Sequence, residues 1–516
     1  MAESSLSQPD PPRPAPVTAD RRDPIPGLAA DGYDAAVIGA GLAGLAVASL
    51  IARAGRSVIV LERATAAGGI GRALPDETLP LDAGVLPLTD AGPEGPLALL
   101  HERLGLPWSP ASSDPTLQVA LPRHRLTLSH GMNGWWPELR REIPGDEPAW
   151  RAMVSDLIGL ARDREAFARA LPSSPSDGWW GRLRLRKTLW LGSLAPKTRD
   201  LATRLRRAAR TPFRDTLGAA GLGGVSQQVL EACLWYLLLR SPEECSTLEA
   251  ALALRRLAEG WAAASVGLIG VTCSLLRRIE ADGGEVRYGA EVVGALTEKG
   301  RIYGVRTASG DTIHARWVVA DLAPRVLAGI LPARRRWSAR SPLDRSWEPR
   351  AVPQVLTLVV PETFLSSELG NLCLIVPQAR CPATEENCVF LRVSEGPDPA
   401  HRHLTIGRFV PLSAASETDY AGPLLRAAEQ VAPGIGAVTV RQAAYGVGDL
   451  ESLWGRPQAT LRYADTSPDW LGRRGASHRL GWPGLLAVGD WTYPGRLPSD
   501  MIEGAFEAAD LILAEW

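Results

Sequence analysis

The sequence predicts an α/β protein in which a parallel-sheet domain is interleaved with a mixed α+β domain. Three features carry that expectation. Residues 33–62 read as strand, glycine turn, helix and strand. The α/β signals return between Gly260 and Pro324 and again from Pro483 onward. The two intervening regions read as helical in the first case and strand-rich in the second. A chain of 516 residues exceeds one ordinary core and divides into domains. The boundaries expected are 32–94, 258–330 and 471–516 for the parallel-sheet domain and 95–257 with 331–470 for the other, after a leader at 1–31.

The stretch YDAAVIGAGLAGLAVASLIARAGRSVIVLE, from Tyr33 to Glu62, organises the rest. Gly39, Gly41 and Gly44 follow the β-type run Ala35 to Ile38 in GxGxxG spacing, and Glu62 ends the next β-type run eighteen residues after Gly44. This is a Rossmann-type dinucleotide-binding arrangement. Gly39 turns the chain sharply, Gly41 lets backbone N–H groups approach a pyrophosphate, and Gly44 lets the helix pack closely on the strands. Leu42 and Ala43 open the helix, so their amides belong to its N-terminus, where unpaired N–H groups and the helix dipole favour phosphate. Glu62, followed by Arg63, is placed to accept hydrogen bonds from ribose hydroxyls. The uncharged run Ala35 to Ala52, at 18 residues, is near the lower limit for a membrane span. Its three glycines and the β-branched runs beside them fit a buried parallel strand pair better.

Composition excludes several classes. Hydrophobic residues make up 45% and charged residues 22%, which is ordinary soluble usage, and a formal net charge of -1 makes no whole-chain case for nucleic acid. The six cysteines show no CxxC pair, so reduced thiols and a cytoplasmic location are the default. Met1 to Asp31 is rich in Pro, Ser, Ala and Asp without an apolar core, and reads as a disordered leader. Arg21-Arg22 is not followed by an apolar run, which opposes a twin-arginine signal. His401 and His403 are the closest pair of the seven histidines; alternate strand positions do not make a metal site, and no metal is expected.

After Glu62 comes ATAAGGIGRAL, in which Gly68 and Gly69 form a second backbone-only surface and Arg72 adds a fixed positive charge. Such a loop can lie along a diphosphate. In this position it resembles flavoproteins of the amine oxidase and phytoene desaturase superfamily. The likeness continues through Gly260 to Pro324, which reads as a helix, the Gly283-Gly284 turn, a strand, a hairpin over Lys299-Gly300, a strand, a turn at Gly310-Asp311 and a last strand near Trp317 to Ala320. It resumes at WPGLLAVGDWTYPGRLPSDMIEGAFEAADLILAEW. The resemblance, to the phytoene desaturase and carotenoid isomerase group in particular, implies a glutathione reductase-like domain with noncovalent FAD. It implies that Val292 meets the adenine through its backbone and that Gly489-Asp490 meets the ribityl or diphosphate part. Ser499 and Met501 would open the final helix, aimed at the flavin pyrimidine, where negative charge grows on reduction. Two segments depart from the pattern: GLIG before the second helix, and SDMIEGAFEAA, which is nearer to the ending of plant-type desaturases.

Residues 95–257 read as helical, and strand-like runs at Val355 to Val360, Leu372 to Val376, Val389 to Val393 and Leu404 to Pro411 suggest an antiparallel sheet. The resemblance implies a hydrophobic, isoprenoid- or carotenoid-type substrate, desaturated, saturated or isomerised by hydride transfer at flavin N5. Amine oxidation, dehydroxylation of a triterpene and a non-redox prenyl-lipid escort role stay open as alternatives. None of the three lysines (Lys187, Lys197, Lys299) is placed as a lysine-dependent amine oxidase requires, and the complete set of flavin motifs opposes the escort role. The sequence identifies no catalytic acid or base, and leaves the oligomeric state open. Eleven basic residues between Arg182 and Arg214 face one acid, Asp200, after Trp179, Trp180 and Trp190; Leu201, Leu205, Ala208 and Ala209 share one helical face. This is either a peripheral contact with an anionic membrane or a solvated helix face over the substrate domain.

Overall fold

The computed structural model describes residues 32–75, 82–90, 92–108, 117–129, 131–168, 196–259, 267–332, 343, 347–366, 368–395, 398–416, 419–463 and 475–516. Its opening unit is β1 (Tyr33–Ile38), α1 (Leu42–Arg53) and β2 (Val58–Leu61). From Asp34 to Ile38 and throughout β2 every residue is buried, because a parallel sheet covered on both faces has no solvent side to alternate with. The glycine-started helix α1 is itself buried from Leu42 to Ala52. A hairpin of β3 (Leu117–Leu121) and β4 (His124–Leu128) follows. Then come the helices α2 (Glu147–Ala168), α3 (Pro196–Ala208), α4 (Val225–Leu238), α5 (Thr247–Ala258) and α6 (Gly267–Ala281).

The chain next returns to the first sheet with β5 (Glu285–Arg287), β6 (Val292–Glu298), β7 (Arg301–Thr307) and β8 (Thr312–Ala320). It builds a second sheet from β9 (Pro349–Pro361), β10 (Leu372–Ile375), β11 (Val389–Glu395), β12 (His401–Val410) and β13 (Arg441–Tyr445). The last elements are α7 (Val447–Trp454), β14 (Arg462–Tyr463), β15 (Leu485–Ala487) and α8 (Pro498–Leu513). In the first sheet β5, β2, β1, β8 and β15 run parallel in that order, and the front of β8 pairs antiparallel with β7, which pairs with β6. The β6–β7 turn is the expected one, with Lys299 at φ 49 and Gly300 at φ 83. The second sheet is ordered β13-β9-β12-β11-β10-β3-β4 and is antiparallel except where β10 meets β3.

One expectation is corrected. The stretch 95–257 is not all helix: LQVALPRHRLTL forms the β3–β4 hairpin, whose apolar residues fall two apart on β4 (Leu126, Leu128), while every residue of β3 is buried, the polar Gln118 included. The apolar stripe of α3 is covered by the protein itself. Ala202, Leu205 and Ala208 are buried in the protein's own core, Leu201 and Ala209 pack beside them, and Arg204 on the outer face bonds Asp163 at 2.8 Å. The three tryptophans expected to precede it lie outside the described residues. Among the described residues no helix is long and apolar enough to cross a membrane.

The second sheet depends on one glycine. Gly407 of β12 sits opposite Phe390 of β11, whose ring packs 5.5 Å from Phe409 and 5.5 Å from Tyr236 of α4. A Cβ at Gly407 would stand 2.7 Å from Phe390 Cε1 and 3.0 Å from the Gln354 carbonyl oxygen. Gly407→Ala is therefore expected to overpack the sheet at a cost of about 1–3 kcal/mol, read as a fall of a few degrees in apparent Tm; an unchanged melting curve would refute this account of the position.

Candidate functional site

The carboxyl ends of β1, β2 and β8 open onto a cleft of about 1110 Å³ of empty space, mouth included. Ligands of open parallel sheets bind at such ends. Its walls include Gly39, Gly41 and Leu42 from the β1–α1 turn, Glu62 and Arg63 at the end of β2, Gly68 and Gly69 from the next loop, Val292 of β6, Asp490 after β15 and Met501 of α8. Residues far apart in sequence thus meet around one elongated space. Ala43, Gly44, Arg72, Gly489 and Ser499 do not line it. Ala43 is fully buried, and Gly44 packs against the Gly39 carbonyl. Arg72 Nη1 donates to the Leu453 carbonyl at 2.9 Å, tying the loop to the end of α7. Gly489, at φ 117, leaves room that Asp321 fills, and the Ser499 hydroxyl lies 3.4 Å from that of Thr89.

The Glu62 carboxylate accepts the Ala40 N–H at 2.7 Å and the Ala64 N–H at 2.8 Å, so its orientation at the cleft wall is fixed by backbone. Gly69 comes so close to Gly41 that a Cβ on it would stand 3.2 Å from the Gly41 Cα, which leaves a strip of bare backbone beside the N-terminus of α1. A carboxylate for ribose, bare backbone and a helix N-terminus for diphosphate, and a long cleft leading to α8 fit a flavin adenine dinucleotide.

Asp321, which the sequence reading missed, follows β8 and lies against Gly39, Gly41 and Gly489. Its Oδ2 accepts the Gly44 N–H at 2.9 Å. Burial pushes this carboxyl up to about 7 against the pull of the Gly44 amide, and the nearby Asp490 and Glu62 add to the rise. The available signal was an acid one residue beyond an apolar β-type run, where parallel strands end at a ligand. Arg456 was missed too. Its guanidinium holds Asp490 through two bonds, Nη2 to Oδ2 at 2.6 Å and Nη1 to Oδ1 at 3.0 Å, and with Trp454 and Gly455 it closes one side of the cleft.

At Asp490 the cleft meets a second cavity of about 810 Å³ of empty space. Trp347, Tyr463 and Trp491 wall it, with Trp347 edge-on to Trp491 at 5.2 Å and to Tyr463 at 5.6 Å. Arg256 of α5 lies at its base, with Nε 2.9 Å from Asp90 and both Nη atoms bonded to Asp500 in the first turn of α8. Burial raises the Asp90 carboxyl, partly offset by Arg256.

The model for the family "Flavin containing amine oxidoreductase" matches residues 42–513. Hydroxyneurosporene desaturase from Rhodobacter capsulatus is 28% identical over 340 residues, covering 62% of each chain. All-trans-retinol 13,14-reductase from Danio rerio is 26% identical over 136 residues, covering 25% of this chain and 22% of that protein. The chain therefore spans less than two thirds of the length of either relative. A variant of putrescine oxidase superposes with a TM-score of 0.61 at 16% identity over 93% of this chain and 99% of that one, which is a likeness of fold. FAD is the cofactor. The family model matches well over half of the chain, and the chain therefore belongs to the flavin-containing amine oxidoreductase family.

Proposed function

We propose that this oxidoreductase acts on a hydrophobic, isoprenoid-type substrate held in the second cavity, by desaturation, saturation or isomerisation. We assign FAD binding to residues 32–94, 258–330 and 471–516 and substrate binding to 95–257 and 331–470. The observation that carries this reading is the junction at Asp490: the cleft suited to FAD continues into a cavity walled by Trp347, Tyr463 and Trp491. Among the described residues lining the two spaces there is no lysine, which disfavours the lysine-dependent form of amine oxidation. The names of the two curated relatives, a desaturase of hydroxyneurosporene and a reductase of retinol, point the same way.

Bound FAD supplies a hydride acceptor or donor at its N5 atom. The chain supplies binding, orientation and exclusion of water. Glu62 holds the ribose, and the α1 N-terminus with Gly68 and Gly69 takes the diphosphate. Asp321, ionised, would repel that diphosphate, so its raised pKa keeps a proton where negative charge must be accommodated. Trp347 and Trp491 form an apolar wall that orients a substrate and keeps solvent from the reacting face.

Glu62→Ala removes charge-assisted hydrogen bonds and should weaken FAD by about 10- to 100-fold; Gly41→Val should do the same by driving a side chain into Asp321. Retention of full flavin absorbance by both variants after gel filtration would overturn the assignment. Asp321 gives a pH signature in the apoprotein. Its folded pKa of about 7 lies above the unfolded value of 3.8, so its contribution is fully present below pH 4 and is lost as pH rises through 7. Apo wild type should thus lose several degrees of Tm between pH 5 and 8 that Asp321→Asn does not lose; parallel curves would refute the buried, protonated state. The functional reading is tested by co-expression in a phytoene-producing host with pigment analysis. An altered carotenoid profile is expected, whereas an unchanged profile together with amine-driven flavin reduction would replace the isoprenoid by an amine.

A further inference from the structure

Two arginines of the loop after β2 converge on one helix end. Helix α7 stops at Gly455, which adopts the left-handed conformation at φ 63 and returns its N–H to the Glu451 carbonyl at 2.8 Å. The other carbonyls of a last helical turn have no partner inside the helix, and they carry the negative end of its dipole. Here they are met from outside. Arg72 Nη1 donates to the Leu453 carbonyl at 2.9 Å, and Arg63 Nη2 donates to the Gly455 carbonyl at 2.8 Å. The missing side chain of Gly455 admits the second contact, since a Cβ there would stand 3.3 Å from the Arg63 Cζ.

This helix end is part of the cofactor cleft. Trp454, Gly455 and Arg456 line it together with Gly41, Gly68 and Gly69, although they come from the region assigned above to substrate binding. Arg456 secures the same stretch on its other side, through its two bonds to Asp490 and a contact of Nη2 with the Tyr463 hydroxyl at 3.4 Å. Residues 453–456 are thus held by three guanidinium groups, two of which reach across from the segment that carries Gly68 and Gly69. Arg72 itself does not line the cleft. Its donors go to the Leu453 carbonyl and, at 3.5 Å, to the Thr65 hydroxyl, so it acts on a ligand of the cleft through the end of α7. A bare helix C-terminus beside a diphosphate would oppose the anion, and cations bonded to its carbonyls offset that field.

We propose that residues 453–456 form a clamp that closes the FAD cleft, and that Arg72 is the positioning residue that latches it. Arg72 then retains the cofactor without touching it. It holds the end of α7 against the glycine loop, keeps Trp454 and Gly455 in the cleft wall and counters the carbonyl charge beside the diphosphate. The inference rests on FAD occupying this cleft.

The test follows release of FAD from the loaded protein together with amide hydrogen exchange. Arg72→Met should release FAD about ten-fold faster than wild type, and should raise exchange at 447–456 while the rest of the chain exchanges as before. Arg72→Lys, which keeps a charged donor, should recover part of both. Unchanged FAD release in Arg72→Met overturns the proposal, as does a loss that Arg72→Lys does not lessen. Faster release with unaltered exchange at 447–456 would make Arg72 a direct cofactor contact, and exchange raised throughout the chain would make it a general support of the fold; either result overturns the clamp while leaving FAD in the cleft. A wild type that binds no flavin would instead remove the cofactor site, and the clamp with it.

Discussion

The cofactor cleft depends on how closely the chain can approach Asp321. Side chains at Gly39, Gly41 and Gly489 would each collide with that residue, and the Gly44 amide bonds its carboxyl. The ends of β1 and β8 and the start of α1 are therefore locked around one buried acid. The same closeness that forbids a Cβ brings backbone N–H groups to the cleft surface, which a diphosphate requires. Each missing side chain here has a particular neighbour occupying its space.

A second buried set of charges couples the helical stretch to this cleft. Arg256 of α5 is bonded at once to Asp90, in the loop that follows the first glycine segments, and to Asp500 at the head of α8. All three are at most 8% exposed in their side chains, where removing one partner leaves a stranded charge. Such a group contributes less to net stability than to geometry: it fixes the direction of α8 relative to α5, and hence the angle at which the α8 N-terminus meets the space between the two cavities. Asp500 also accepts the Leu497 N–H at 3.3 Å, so one carboxylate caps the helix and anchors the arginine.

Local signals made part of this legible. The strand–glycine–helix unit and Glu62 are encoded within thirty residues, and each has a steric or electrostatic reason visible in one dimension. The hairpin over Lys299-Gly300 is equally local. The partners of the expected groups were not legible, because they arrive from elsewhere: Asp490 was found by resemblance, but its bidentate partner Arg456 precedes it by 34 positions across an unrelated turn. Asp321 reaches Gly44 over 277 positions. The α3 stripe shows the complementary limit. Periodicity established that Leu205 and Ala208 share a face, and could not say whether lipid or the protein's own core would cover it; the core does.

Charge placement separates the two spaces that Asp490 joins. On the cofactor side Asp490 is paired with Arg456, and burial raises the Asp321 carboxyl to about 7, which lessens the negative charge beside the proposed diphosphate site. On the other side the Arg256 and Arg462 charges are matched by acids, and aromatic rings cover the remaining wall. Arg456 with Asp490, Arg256 with Asp500 and Arg462 with Glu244 are thus held as pairs, which is the condition under which low-dielectric surroundings are tolerable. The proposed hydride transfer between an apolar substrate and the flavin would call for such surroundings, to which Trp347 and Trp491 would add an apolar wall.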